Sequence, residues 1–394
     1  MREFVSEKAR RIKPSGIRKF FDIVAKSSDV ISLGIGEPDF VTPWEIRSAA
    51  YQSLQRGQTS YTGNRGLPAL TEEIARYLGE SFGARFSPEE IVVTIGASEA
   101  IDAALRATVD DGDEVLVPDP SYVSYAPCVE LCGGKAVSVP CRAEDGFVLT
   151  PEAVERAVTD RTKILIFSYP NNPTGGIMTR AAVEALIPVV LKHDLLILAD
   201  EIYAELTYGG SHVSAASFPA LKDRVVLVSG FSKAFAMTGW RIGYVAAPGE
   251  ILQAILKIHQ YTVICAPSFS QYAALAALRE GREDGFAGVS EMREEYDKRR
   301  KFLYQSFLAA GLTVFEPKGA FYIFPSVRST GLTGEEFAER LLLEERVAVV
   351  PGGAFGASGA DHIRCSYAAS MQNLIAAADR IAAFVRRVAR ERQK

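Results

Sequence analysis

No run of apolar residues in this chain approaches the roughly 18 to 20 that a membrane-spanning helix needs, and the opening stretch "MREFVSEKARRIKPSG" is too polar for a secretory signal. A cytoplasmic location with no membrane partner is therefore the expectation. An excess of one charge is also missing. With 44 Lys and Arg against 48 Asp and Glu, interleaved, the formal net charge is −4, which leaves no broad basic face for nucleic acid. Cysteine is sparse, five residues scattered over Cys128, Cys132, Cys141, Cys265 and Cys365; an odd, dispersed set argues against a disulfide framework. Cys128 and Cys132 stand one helical turn apart, but no His or Cys cluster completes a four-ligand site beside them, and the four histidines are isolated. No metal is expected. Internal repeats and low-complexity segments are lacking too.

What is present is a core-building chain of 394 residues, 48% hydrophobic and 23% charged, large enough for more than one domain. From about Glu90 apolar runs of strand length alternate with helical stretches: "IVVTIG", "EVLVPDP", "KAVSVP", "KILIFSYP", "LLILADE" and "RVVLVSG". That is the βα pattern of a mostly parallel, doubly wound sheet covered on both faces. Beyond about Gly281 the texture changes to a long charged helix, "SEMREEYDKRRKFLYQSFLAA", followed by short strands around "AFYIFP" and "VAVVPG" and a helix between them. The predicted class is α/β, with an arm over residues 1–45, a large domain over 46–285 and a smaller α+β domain over 286–394.

In open α/β sheets, ligands bind at the carboxyl ends of the strands. The residues with chemistry to offer fall at such ends. Gly96, Ala97 and Ser98 follow the first run and open a helix read as beginning at Ser98, whose free N–H groups favour an anion. Tyr122 follows the second run, and Asp200 with Tyr203 closes "LLILADEIY". Asp200 ends an apolar run, and a buried carboxylate needs a cation or hydrogen bonds; a protonated heterocyclic nitrogen would serve. Lys233 follows "VVLVSGFS", with Phe231, Phe235, Met237 and Trp240 around it and Arg241 beyond. Apolar surroundings and a nearby cation lower an ammonium pKa and yield the neutral amine that attacks carbonyls. Arg241 suits a phosphate.

The stretch "SGFSKAFAMTGWRIG", with "LGIGEPDF", "YTGNRGLPAL", "YPNNPTGG", "DEIY" and "HIRCSYA" in that order, resembles the class I/II, fold-type I, pyridoxal-phosphate aminotransferases across nearly the whole chain. The resemblance implies pyridoxal 5'-phosphate as cofactor, Lys233 as its Schiff-base lysine and Asp200 on the pyridinium nitrogen. Tyr203 and Asn172 are implied at the ring's phenolic oxygen and Tyr122 stacked on the ring. The phosphate falls to Ala97, Ser98 and Arg241, with Tyr61 arriving from the second subunit of a homodimer. Arg364 is implied at the substrate α-carboxylate, assisted by Asn172 and the Gly36 backbone, and a cis bond is implied at Asn172–Pro173. One position departs: three residues before the lysine, where the family often has a phosphate-touching Ser, stands Gly230, leaving Ser229 and Ser232 as candidates.

The function so implied is transfer of an amino group from an L-amino acid to a 2-oxo acid by ping-pong kinetics. Alternatives are a pyridoxal-phosphate lyase on the same scaffold and a DNA-binding regulator, which the charge and the lack of a helix-turn-helix before the arm disfavour. Two further absences bear on the substrate. One aspartate aminotransferase subgroup holds the distal carboxylate with an Arg in the segment matching "KIHQYTVICAPSFSQ", and no Arg occurs here between Arg241 and Arg279. A second uses a Lys where this chain has Ser98. With Phe20, Phe21, Tyr261 and Tyr322 near the expected pocket, neutral donors, aromatic or aliphatic, are expected over aspartate; an aspartate-type enzyme is the alternative, with Lys257, His259 or Arg18 as the cation.

Overall fold

The computed structural model describes residues 2–14 and 29–392, so Arg18, Phe20 and Phe21 lie outside the described residues. In chain order the strands are β1 (Ile31–Ser32), β2 (Ile91–Thr94), β3 (Glu114–Asp119), β4 (Lys135–Pro140), β5 (Thr162–Ser168), β6 (Leu196–Asp200), β7 (Val225–Gly230), β8 (Gly243–Ala246), β9 (Tyr322–Ile323), β10 (Val347–Ala348), β11 (Val350–Pro351) and β12 (Ile363–Ser366). Among the described residues seven of them form one sheet in the order β2-β8-β7-β6-β5-β3-β4. Neighbours β7, β6, β5, β3 and β4 run parallel, while β8 is antiparallel to both β7 and β2.

Successive side chains of a strand point to opposite faces, and the two faces of this sheet bury two separate cores. Leu165, Phe167, Ile197, Ala199 and Leu227 face one, together with residues of the helices Pro68–Phe82, Arg180–Lys192 and Ser268–Glu283. Ile164, Ile166, Leu198, Val226 and Val228 face the other, under the helices Gly96–Thr108 and Gly249–Thr262. Burial on both sides is why the central strands read as unbroken apolar runs; the edge strand β4 is exposed or half-buried at all but one position.

The C-terminal part builds a third core. The antiparallel strands β11-β12-β9 pack with the helices Ala287–Ala309, Gly334–Glu345 and Met371–Glu391 around Leu303, Phe307, Phe337, Leu341, Ile381 and Phe384. Tyr203, Leu206 and Tyr208, which follow β6, bury in this core and not in those of the large sheet. The arm divides likewise. Its helix Glu7–Arg11 brings Lys8 to Asp111 at 3.3 Å, at the large sheet, whereas β1 pairs in parallel with β10 of the C-terminal part.

Two details differ from the sequence reading. The strand β8 was not among the runs read from the sequence, because "GYVA" is short and follows directly on the lysine segment. The helix expected to begin at Ser98 begins at Gly96. Gly96 takes φ +76°, a left-handed turn that glycine enters without strain, so strand becomes helix within one residue of Ile95. Backbone packs directly against that turn: a Cβ on Gly243 would lie 2.7 Å from Ala97 N and from Gly96 C and 2.9 Å from Ser229 O. Gly243→Ala is therefore expected to lower stability by about 1–3 kcal/mol in urea unfolding, the scale of overpacking against rigid neighbours. Gly249→Ala, where an added Cβ meets nothing within 4 Å, should stay within about 0.5 kcal/mol of the parent; equal losses would contradict the steric account.

Candidate active site

Register brings the strand ends together. Ser168 of β5 pairs with Asp200 of β6, and Asp200 pairs with Val228 of β7. At this end opens a cavity of about 1040 Å³. Among the sequence-predicted residues, Gly36, Ala97, Ser98, Tyr122, Asn172, Asp200, Tyr203, Lys233, Arg241 and Arg364 all line it. Tyr61 does not; its side chain is turned outward and 81% exposed.

Asp200 is 5% exposed. Its Oδ2 accepts from the Tyr125 hydroxyl at 2.7 Å and its Oδ1 from the Ile202 N–H at 3.2 Å. Tyr125 in turn lies 2.7 Å from Ser168 Oγ, so a relay of hydroxyls runs from β5 to the carboxylate. Burial pushes the carboxyl above its ordinary range, an effect the Tyr125 hydrogen bond offsets only in part. Among the described residues the group forms no ion pair, Lys233 acting on it only at longer range, and the cavity is where a cationic partner can be supplied.

Lys233 lies in the turn beyond β7, and its Nζ donates to the Gly36 carbonyl at 2.7 Å. Burial, with Arg364 and Arg241 adding to it and Glu37 and Asp200 opposing, brings its pKa down to about 8. The apolar surroundings expected from the sequence are present but are made by other residues. Phe231, Phe235 and Met237 sink into the core of the large sheet, and the rings over which Nζ sits are Tyr203 and Phe321, each centroid 5.7 Å away. Phe321 belongs to the C-terminal part, which local sequence could not bring to Lys233.

Arg241 adopts φ +50°, a left-handed conformation uncommon outside glycine. Its guanidinium lies so close to the helix start that a Cβ on Gly96 would stand 2.8 Å from Nη2; its Nη1 donates to the Thr238 carbonyl at 3.0 Å. The N–H groups of that first helical turn have no intrahelical acceptor. Of the two serine candidates, Ser232 lines the cavity, whereas Ser229 donates to the Glu201 carbonyl at 3.4 Å. A side chain at Gly230 would place its Cβ 2.8 Å from Gly243 Cα, so the antiparallel β8 excludes a serine there.

Arg364, on β12, is 3% exposed. It donates to Asn172 Oδ1 at 3.0 Å and to the Gly34 carbonyl at 2.6 Å, and its buried Nε has no partner among the described residues. Its guanidinium sits over the rings of Tyr322 at 4.4 Å and Phe355 at 4.8 Å. The backbone group beside it is thus Gly34, while the Gly36 carbonyl takes the lysine. The Asn172–Pro173 bond is cis. Tyr203 meets the Tyr322 hydroxyl at 2.8 Å, and burial raises its phenol well above the ordinary value, so it remains a proton donor.

Tyr125 and Lys13 were missed from the sequence. The first is one helical turn from Tyr122, but its link to Asp200 depends on strand register. The second is carried by the arm, whose path no periodicity reveals; Ile12, Lys13 and Pro14 line the cavity. Tyr261 is 87% exposed and does not line it, nor does Lys257, and His259 is buried beside Glu99.

The family model described as aminotransferase class I and II matches residues 28–381. The chain belongs to this family. It is 45% identical to the aspartate aminotransferase of Pyrococcus abyssi over 97% of this chain and 98% of that one. A solved aromatic aminotransferase from Pyrococcus horikoshii OT3 superposes with a TM-score of 0.89 at 45% identity, over 93% of this chain and 99% of that one. The aspartate aminotransferase from Thermus thermophilus with maleate gives 0.92 at 38% identity, over 97% and 100%. The protein is an aminotransferase of fold type I, and pyridoxal phosphate is the cofactor of its family. The cavity fits that group. Among the described residues Lys233, Arg241 and Arg364 donate only to carbonyl and amide oxygens, which leaves the two guanidiniums for anions and the Lys233 amine for a carbonyl, and Asp200 is left for a cation.

The lowered pKa of Lys233 has a measurable consequence. Its neutral fraction in the apoenzyme climbs from about a tenth at pH 7 to about nine-tenths at pH 9, whereas an unshifted lysine gets there only past about pH 11. The rate at which added cofactor captures the amine, followed by stopped-flow absorbance, is expected to rise about tenfold over that interval and then level. A rate still climbing steeply through pH 10 would show the amine to be unperturbed.

Proposed function

We propose that this aminotransferase takes neutral L-amino acids, aromatic or aliphatic, as donors and passes the amino group to a 2-oxo acid by ping-pong kinetics, in the cytoplasm, as a homodimer. The cofactor supplies an electron sink for the carbanion at the amino acid's α-carbon. The chain's residues bind and align around that chemistry. Asp200 keeps the ring nitrogen protonated, Tyr203 and Asn172 donate to the ring's phenolic oxygen, and Tyr122 lies against the ring. Ala97, Ser98 and Arg241 take the phosphate. Arg364, its Nε free among the described residues, takes the substrate α-carboxylate, assisted by Asn172 and the Gly36 backbone. Lys233 Nζ, its pKa brought down to about 8, moves the proton off the α-carbon. Residues 46–285 and 286–394 act as large and small domains, with 1–45 as the arm bridging them.

The single observation carrying the substrate class is the cavity's cation set. Beyond Lys233, Arg241 and Arg364, only Lys13 among the described lining residues is cationic, and it is exposed on the arm. A distal carboxylate left unpaired in a partly desolvated pocket costs on the order of 1–3 kcal/mol. Lys13 also favours the second reading, an aspartate-type enzyme, which matches the name of the Pyrococcus abyssi relative. The test compares aspartate with phenylalanine, tyrosine, alanine and leucine against one acceptor, in the parent and in Lys13→Ala. Higher kcat/KM for the neutral donors, untouched by Lys13→Ala, is expected. A preference for aspartate that Lys13→Ala lowers by about tenfold would select the second reading.

The dimer rests on exposed aromatics. Segments 58–64 and 264–271 are tied by Asn64 Nδ2 to the Ile264 carbonyl at 2.9 Å and Gln271 Nε2 to Thr62 Oγ1 at 2.9 Å. Around this joint Tyr61 and Tyr261 stand 81% and 87% exposed, which favours a contacting second copy. Light scattering at assay concentration is expected to give twice the chain mass; a fully active monomer would contradict the shared site.

A further inference from the structure

The helix start proposed to receive the phosphate carries a carboxylate of its own. Glu99 stands in the first turn of the helix Gly96–Thr108, directly beyond Ala97 and Ser98, and a free carboxylate there would oppose a second anion. It does not line the cavity. Both of its oxygens are turned elsewhere: Oε2 accepts from the Ile95 N–H at 2.5 Å, and Oε1 meets His259 Nδ1 at 2.6 Å. His259 comes from the helix Gly249–Thr262, on the same face of the large sheet. It is 0% exposed, and its Nε2 has no partner among the described residues. Burying an imidazole with one nitrogen unsatisfied is costly, and Glu99 is the only side chain among the described residues that its ring bonds. The ring is held there for that carboxylate.

We propose that His259 is a positioning residue for the cofactor's phosphate, acting through Glu99. By engaging Oε1 it keeps the carboxylate folded back onto the Ile95 N–H. That fixes the shape of the Gly96 turn and keeps negative charge out of the cavity, so the N–H groups of Ala97 and Ser98 and the Arg241 guanidinium act on the phosphate unopposed. The proposal rests on the reading that the phosphate sits at this helix start. It extends that reading to a pair that touches neither cofactor nor substrate.

The test uses the apoenzyme and two aldehydes, pyridoxal phosphate and pyridoxal, titrated by visible absorption, with inorganic phosphate as competitor. His259→Leu is expected to weaken pyridoxal phosphate about tenfold, the scale of one partly screened charge interaction, while pyridoxal changes by less than about twofold. Competition by inorganic phosphate should weaken by about the same tenfold factor. Adding Glu99→Gln to His259→Leu removes the freed charge and should bring pyridoxal phosphate back to within about threefold of the parent. Equal loss of both aldehydes, or a double variant no better than His259→Leu, overturns the proposal. Should His259→Leu not fold, His259→Asn keeps a donor near the Nδ1 position and should retain the selectivity for the phosphorylated aldehyde; loss of that selectivity overturns the proposal too. Arg241→Gln separates the two layers: if it leaves the selectivity intact, the phosphate reading itself falls, whereas if it abolishes selectivity that His259→Leu leaves untouched, the pair alone is refuted.

Discussion

Uncompensated charge held in low dielectric is what the rest of this molecule is arranged around. Asp200 and Arg364 are each almost fully buried, and neither forms an ion pair among the described residues. An isolated buried ion is one of the most expensive features a fold can carry, so it persists only where surrounding structure over-determines it. Here three parallel strands in register fix Asp200, and β12 fixes Arg364 from the other side of the cavity. Hydroxyl and carbonyl groups then supply partial compensation: Tyr125 to the carboxylate, Gly34 and Asn172 to the guanidinium. The remaining deficit is what a ligand with separated charges, cationic at one end and anionic at the other, relieves on binding.

Backbone proximity does the rest of the positioning. Gly96, Gly230 and Gly243 meet where β7, β8 and the Gly96–Thr108 helix converge, and at each an added Cβ would fall within 3.0 Å of a neighbouring atom. Close approach at this point sets Arg241 over the helix start and carries Lys233 out to the cavity. The chemistry-bearing side chains are therefore placed by residues that have no chemistry of their own.

Much of this was legible in the sequence, for identifiable reasons. Central strands such as β5 and β6 read as unbroken apolar runs because both faces are buried, and the reactive residues stood directly after them. What could not be read depended on distance in the chain. Phe321 is one of the two rings beside the Lys233 amine, yet only folding of the C-terminal part brings it there, whereas Phe231, close in sequence, turns into the core. Tyr125 needed the pairing of Ser168 with Asp200 to become part of the site. His259, weighed as a cation for a substrate carboxylate, instead serves a carboxylate of the protein. Lys13 reaches the cavity because of the course of an arm that has no periodic pattern.

The stretch Gly34-Ile35-Gly36 holds both functional cations at once. The Gly34 carbonyl accepts from Arg364 and the Gly36 carbonyl from Lys233. Its downstream flank is moored to both parts of the chain, through Asp39 to Arg299 at 2.8 Å and through Thr42 Oγ1 to the Ala236 carbonyl at 2.6 Å. A carbonyl stripped of its donor in such surroundings must find another or shift, at about 1–3 kcal/mol. Engaging either cation elsewhere therefore removes one of the two hydrogen bonds by which a single short tether is held at the cavity.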